Sequence, residues 1–178
     1  LWFRCNAAGG TNEWIAGQCD AALSIGSTSF FLYRNASNVI VGRACNGSGG
    51  GNNFEVTGTT QFTNAVNTGW HHCALVRTGN VLKLFIDGVQ EGGNVAITGS
   101  INNSTSVLAV GTEGAFTGGP WIGWIDEFRL SVGVARWTAD FIPPLAQYAT
   151  SAVVIEGTYA ATTVPTVART SLTCASCS

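Results

Sequence analysis

Few residues in this chain are of types that do chemistry, and their spacing already excludes several reactions. Asp126-Glu127 is the one adjacent pair of carboxylates. Glycoside hydrolysis needs two carboxyl groups facing the same bond. Neighbours on a strand point to opposite faces, so this pair cannot flank one glycosidic linkage. Asp87, Glu91 and Glu113 stand alone in apparent turns. His71-His72-Cys73 offers a base beside a thiol, but it lies in an apolar, strand-like run. There Cys73 shares its register with Leu75 and reads as a small hydrophobe, not a nucleophile. The histidines are expected to be hydrogen-bonded structural residues on a Trp70-His72-Ala74-Val76 packing face. Of the six tryptophans, Trp2, Trp70 and Trp124 sit inside strand-like runs and read as core. Trp14, Trp121 and Trp137 flank loops, and Trp121, after Gly118-Gly119-Pro120, is best placed to stack on a sugar face. Cys174 and Cys177 form a lone C-x-x-C; a zinc site needs about four ligands, and the two histidines, His71 and His72, stand far upstream. The disulfide candidates are therefore Cys5, Cys19, Cys45, Cys174 and Cys177, with the pairing open.

Composition narrows the partners. Apolar residues make up 46% of the 178 and charged residues only 10%, so Asn, Ser, Thr and Gly must carry solubility. Part of the apolar surplus is expected at interfaces, which suits a chain that self-associates or works outside the cytosol. Eight Lys and Arg are scattered from Arg4 to Arg169, with a net charge of −2, and no stripe tracks a nucleic-acid backbone. No apolar run reaches the roughly 18 residues of a membrane-spanning helix. Leu1 reads as an internal start, since no initiator Met or signal peptide precedes it.

The elements that must position these residues are short strands. β-favouring runs separated by Gly, Asn and Ser recur at the roughly 8–12-residue spacing of a sandwich. Strands are expected at 1–5, 14–19, 29–34, 38–44, 53–57, 70–78, 81–87, 95–98, 106–111 and 122–131. Thr78-Gly79-Asn80 and Asp87-Gly88 are hairpin turns. Leu82, Leu84 and Ile86 give one wholly aliphatic strand face towards a core. Pro143-Pro144 closes the pattern, with at most one helical turn near Leu145 to Tyr148. Residues 149–178 read as an arm whose Val153-Val154-Ile155 suits pairing with an exposed strand edge.

Two segments carry a family resemblance. Gly69-Trp70-His71-His72-Cys73-Ala74-Leu75-Val76-Arg77 with Leu82-Lys83-Leu84-Phe85-Ile86-Asp87-Gly88 is the first. Ile122-Gly123-Trp124-Ile125-Asp126-Glu127-Phe128-Arg129-Leu130-Ser131, then Ala135-Arg136-Trp137 and Phe141-Ile142-Pro143-Pro144, is the second. Both resemble the paired and closing strands of laminin-G-like, concanavalin-A-like domains, and the last stretch is similar to bacteriophage head and tail proteins. Cys73 stands where valine is usual. The resemblance implies an all-β, antiparallel two-sheet jelly-roll sandwich over residues 1–148, with the first strand or strands missing. The tail around Val153 is the candidate to fill that gap. It further implies a non-enzymatic structural or binding module on a virion surface, as decoration, fibre or receptor-binding part, with capsid or tail proteins and its own copies as partners. A secreted adhesion or carbohydrate-binding module that contacts cell-surface glycans is the alternative. Many such domains hold calcium through Asp carboxylates, and Asp87 and Asp126 are the candidates here.

Overall fold

The structure, a computed structural model, describes residues 1–7, 9–20, 27–47, 53–112 and 119–145. Ten strands form: β1 (Trp2–Cys5), β2 (Glu13–Gln18), β3 (Phe30–Arg34), β4 (Val39–Cys45), β5 (Asn53–Gln61), β6 (His71–Thr78), β7 (Val81–Ile86), β8 (Val89–Ala96), β9 (Leu108–Val110) and β10 (Gly123–Asp126). No α-helix occurs among the described residues. The Asp87-Gly88 turn works as its sequence requires. Both residues take positive φ (49° and 84°), the backbone of a two-residue hairpin loop between the paired Ile86 and Val89.

The strands make two antiparallel sheets, ordered β10-β1-β6-β7-β8 and β5-β4-β3-β2-β9. Alternation sends Phe3, Cys73, Leu82, Leu84 and Ile86 from the first sheet against Ile15, Leu32, Ile40, Ala44 and Val56 from the second. The sheets approach closely at Gly42, where a Cβ would stand 2.4 Å from Leu75 Cδ1. One polar node lies inside this core. The fully buried Arg34 forms an ion pair with buried Glu13 and donates to Phe62 O (2.7 Å) and to Cys5 Sγ (2.9 Å). It thus ties β3 to β2, β1 and the end of β5.

The first sheet is also covered on part of its outer face. Ala74, Val76 and Phe85 point outward there and are roofed by Ala135, Trp137 and Phe141. This strap is pinned where Phe141 N–H donates to Gly88 O (2.9 Å), Lys83 Nζ to Thr138 O (2.7 Å) and Gln90 N–H to Asp140 Oδ1 (2.9 Å).

Strand limits differ from expectation where partners decide them. The last strand stops at Asp126 and not at Ser131, because its neighbour β1 pairs only from Trp2 (opposite Asp126) to Cys5 (opposite Gly123). Glu127 then takes φ 52° and Phe128 turns into the core. β8 starts at Val89 and not at Val95. Val89 to Glu91 was expected as the hairpin partner after Asp87-Gly88, but Gly92 and Gly93 (φ 71° and 72°), beside a register shift between Leu82 and Leu84, hide its continuity with Val95. β5 runs four residues past Thr57 to Gln61. The expected arm at 149–178 and the last three residues of the turn at 145–148 lie outside the described residues.

Candidate functional site

The histidine–thiol run is the densest chemistry on the chain, and β6 and the β7–β8 turn together fix its roles. His71 Nδ1 lies 2.7 Å from Asp87 Oδ2, while Asp87 Oδ1 accepts the His72 backbone N–H at 2.7 Å. Asp87 therefore locks the hairpin end with both oxygens. Cys73 points the other way into the core, and burial pushes its thiol up to about 12, which removes the thiolate a nucleophile needs. His72 departs from expectation. Neither ring nitrogen has a partner; the ring is buried edge-on among Trp2, Trp137 and Phe141, at centroid distances of 5.4–5.6 Å. Desolvation chiefly, with Asp87 opposing, lowers its pKa to about 4.

The tryptophans are placed almost opposite to the sequence reading. Trp121 is buried: its ring meets Phe3 edge-on, stands 5.7 Å from the Arg34 guanidinium, and its Nε1 donates to Trp124 O (3.3 Å). Trp14 is half-buried against Phe31 and Tyr33, and Trp137 stacks on Phe141 at 4.3 Å within the strap. The exposed rings are Trp70 (44%) and Trp124 (48%), which had read as core. Trp124 sits at an outward position on β10, whose neighbour Ile125 does the packing, and Trp70 stands just before β6.

The remaining candidates are not gathered into a site. Asp87 and Asp126 stand in one cross-strand row, but β1 and β6 lie between them, so they are about 14 Å apart at ~4.8 Å per strand. They cannot share a calcium ion. Asp126 Oδ1 accepts the Glu127 N–H (2.8 Å), and no group of three His, Cys, Asp or Glu among the described residues could hold a metal. Cys5 and Cys45 are buried free thiols, Cys19 is buried, no disulfide joins the three, and Cys174 and Cys177 lie outside the described residues.

What the fold does assemble is an outward row at the β10–β1 edge. Trp124 pairs directly with Arg4, whose guanidinium lies 5.0 Å from the Trp124 ring centroid and whose Nε donates to Thr68 O (3.0 Å). The register Trp2↔His72 and Phe3↔His71 closes one residue short of Arg4 and Trp70, the next residues along the two segments. Ile122, 51% exposed, precedes Trp124 by one alternation. The strap covers the centre of this face and leaves the edge bare. A family model described as the concanavalin A-like lectin/glucanases superfamily, of the laminin-G type, matches residues 1–136. The chain belongs to this superfamily. Neither a curated protein nor a solved structure matches it. Membership of this lectin/glucanase superfamily suggests a binding module, and at the edge row an aromatic ring and a charged group meet at the surface. Arg4, Trp70 and Trp124 were not singled out by sequence reasoning. The usable signal was the alternation Trp2-Phe3-Arg4-Cys5, in which Phe3 and Cys5 claim the core and turn Arg4 out.

Proposed function

We propose that this chain is a non-enzymatic binding module whose recognition surface is the Trp124–Arg4–Trp70 row. The observation that carries the reading is the exposed Trp124 ring with the Arg4 guanidinium 5.0 Å from its centroid, and the exposed Trp70 just before β6, on a sheet face that the strap roofs only in part. Trp and Arg are the residues that dominate binding energy at interfaces, and an aromatic face also stacks on sugar rings. The inert Cys73 and the fully engaged Asp87 support a role without turnover. The setting we infer is the surface of a bacteriophage particle, as decoration, fibre or receptor-binding part docked on capsid or tail proteins. The strap segment, Ala135 to Pro144, supports it by its likeness to phage proteins. A secreted adhesion module is the second reading, favoured by the same exposed tryptophans if the ligand is a glycan. No calcium enters either reading.

The test is binding to a glycan array and to host-cell envelopes, followed by titration of any hit. Trp124→Ala and Trp70→Ala should each weaken the hit by at least about tenfold, with unchanged melting temperature. Binding that survives the double variant would remove the row from recognition.

A further inference from the structure

β6 has a neighbour on one side only for much of its length. It pairs with β7 from Cys73 to Thr78, but with β1 only at His71 and His72, extended to Cys73 by mutual hydrogen bonds with Leu1. Antiparallel pairing alternates its hydrogen-bonding sides. Since Cys73 bonds towards β1, the N–H and C=O groups of Leu75 and Arg77 also face that side, where no strand pairs with them among the described residues. A cavity of about 710 Å³ lies against this edge. Its inner wall is Ala16, Leu32 and Ala44 of the second sheet, its outer wall Ala135 and Trp137 of the strap. Across it run Leu130, Val132 and Val134, which are 44–52% exposed. The slot combines a backbone edge unpaired among the described residues with apolar side chains on both faces. Buried backbone groups are paired in more than about 90% of cases, so an extended strand is the chemistry this slot fits.

We propose that Ala152-Val153-Val154-Ile155 of this chain occupies the slot, antiparallel to β6. A strand buried on both faces must be apolar at consecutive positions, not alternate ones. In residues 146–178 this is the longest uninterrupted aliphatic run, with Ser151 before it and Glu156-Gly157 after it. The tether suffices. Pro143 packs beside Gly88, and the nine residues from there to Ala152 span up to about 30 Å. The route crosses two strand spacings, about 10 Å, and the length of β6 from Cys73 to Thr78, about 17 Å.

Hydrogen exchange of the full chain, read at the Leu75 and Arg77 amides, tests this. Both amides should be protected to the level of Ala74 and Val76, which bond to β7. Val154→Asp should accelerate them by about tenfold or more while Val41 and Ala44 in the second sheet keep their protection. Val164→Asp, further along the same tail, should change neither. Should Val154→Asp also expose Val41, the isosteric Val154→Thr replaces it, with a smaller acceleration confined to Leu75 and Arg77. Fast exchange of both amides in the unsubstituted chain, or protection untouched by either change at Val154, would overturn the assignment. Protection lost on dilution would overturn it too, because a second copy would then be supplying the strand.

Discussion

Burial of an imidazole without a hydrogen-bond partner has a measurable consequence at His72. Unfolded, the ring titrates near its ordinary value of about 6.5; folded, it titrates at about 4. Between these values only the unfolded chain takes up the proton, so stability falls as pH drops from about 6.5 to 4 and is level above that window. The melting temperature followed across that range should show the decline, and His72→Phe should flatten it. Arg34 makes the complementary case. Removing one member of a buried ion pair strands the other, so Glu13→Ala should cost about 3–5 kcal/mol in urea unfolding. Pairing that change with Arg34→Met should restore most of it; an equal or larger loss in the double variant would mean the node acts through shape instead. Neither residue was legible in the sequence. Glu13 and Arg34 are 21 positions apart, and only the β2–β3 register, Glu13 opposite Arg34, brings them together. Trp121 misled for a similar reason: its loop position suggested display, while Phe3 and Arg34, both far away in sequence, hold it inside.

Strand centres were readable and strand ends were not, for a physical reason. A centre is fixed by its own alternation, as in Leu82, Leu84 and Ile86, whereas an end depends on how far the neighbouring strand extends. Ile122 to Ser131 has strand composition throughout, yet only the four residues opposite β1 are ordered into the sheet. The strap was legible as a motif and invisible as a roof, because its partners Ala74, Val76 and Phe85 belong to a hairpin some 60 residues earlier. Its anchor at Gly88 gives the prediction for this scale. A Cβ there would stand 1.8 Å from Phe141 O on a backbone with φ 84°, so Gly88→Ala should lose about 1–3 kcal/mol and loosen Trp137. Gly79→Ala is the contrast. Its φ is 56° but its Cβ meets nothing within 4 Å, so only the backbone cost of about 1 kcal/mol applies. Equal losses from the two would show that the strap contributes nothing at that turn.

Among the described residues the sandwich is held by packing, with Cys5, Cys45 and Cys73 as buried free thiols. Burial raises the thiols of Cys45 and Cys73, so Cys5, Cys45 and Cys73 should be silent to an aromatic disulfide reagent in the native protein. In guanidinium the titrated thiol count should rise by at least three; a fast native reaction at any of them would show that the core opens there. The all-β, two-sheet class and its paired hairpin were plain from the residue pattern. The open side of β6 was expected only as a shortage of strands, and the two walls of the slot come from segments that no local pattern relates. The order of the first sheet also sets a schedule for making the protein. β1 sits between β6 and β10, with Trp2 beside both His72 and Asp126. At about 5–20 residues per second, a ribosome needs roughly 6–25 s to travel from the first of these strands to the last. For that interval Trp2 and Phe3 have no finished sheet to join. Such distant pairing also places the domain among the slow, millisecond-to-second folders. Of these three strands the one made first is therefore the last to be fully seated, and the nascent chain depends on whatever shields those two aromatics while it waits.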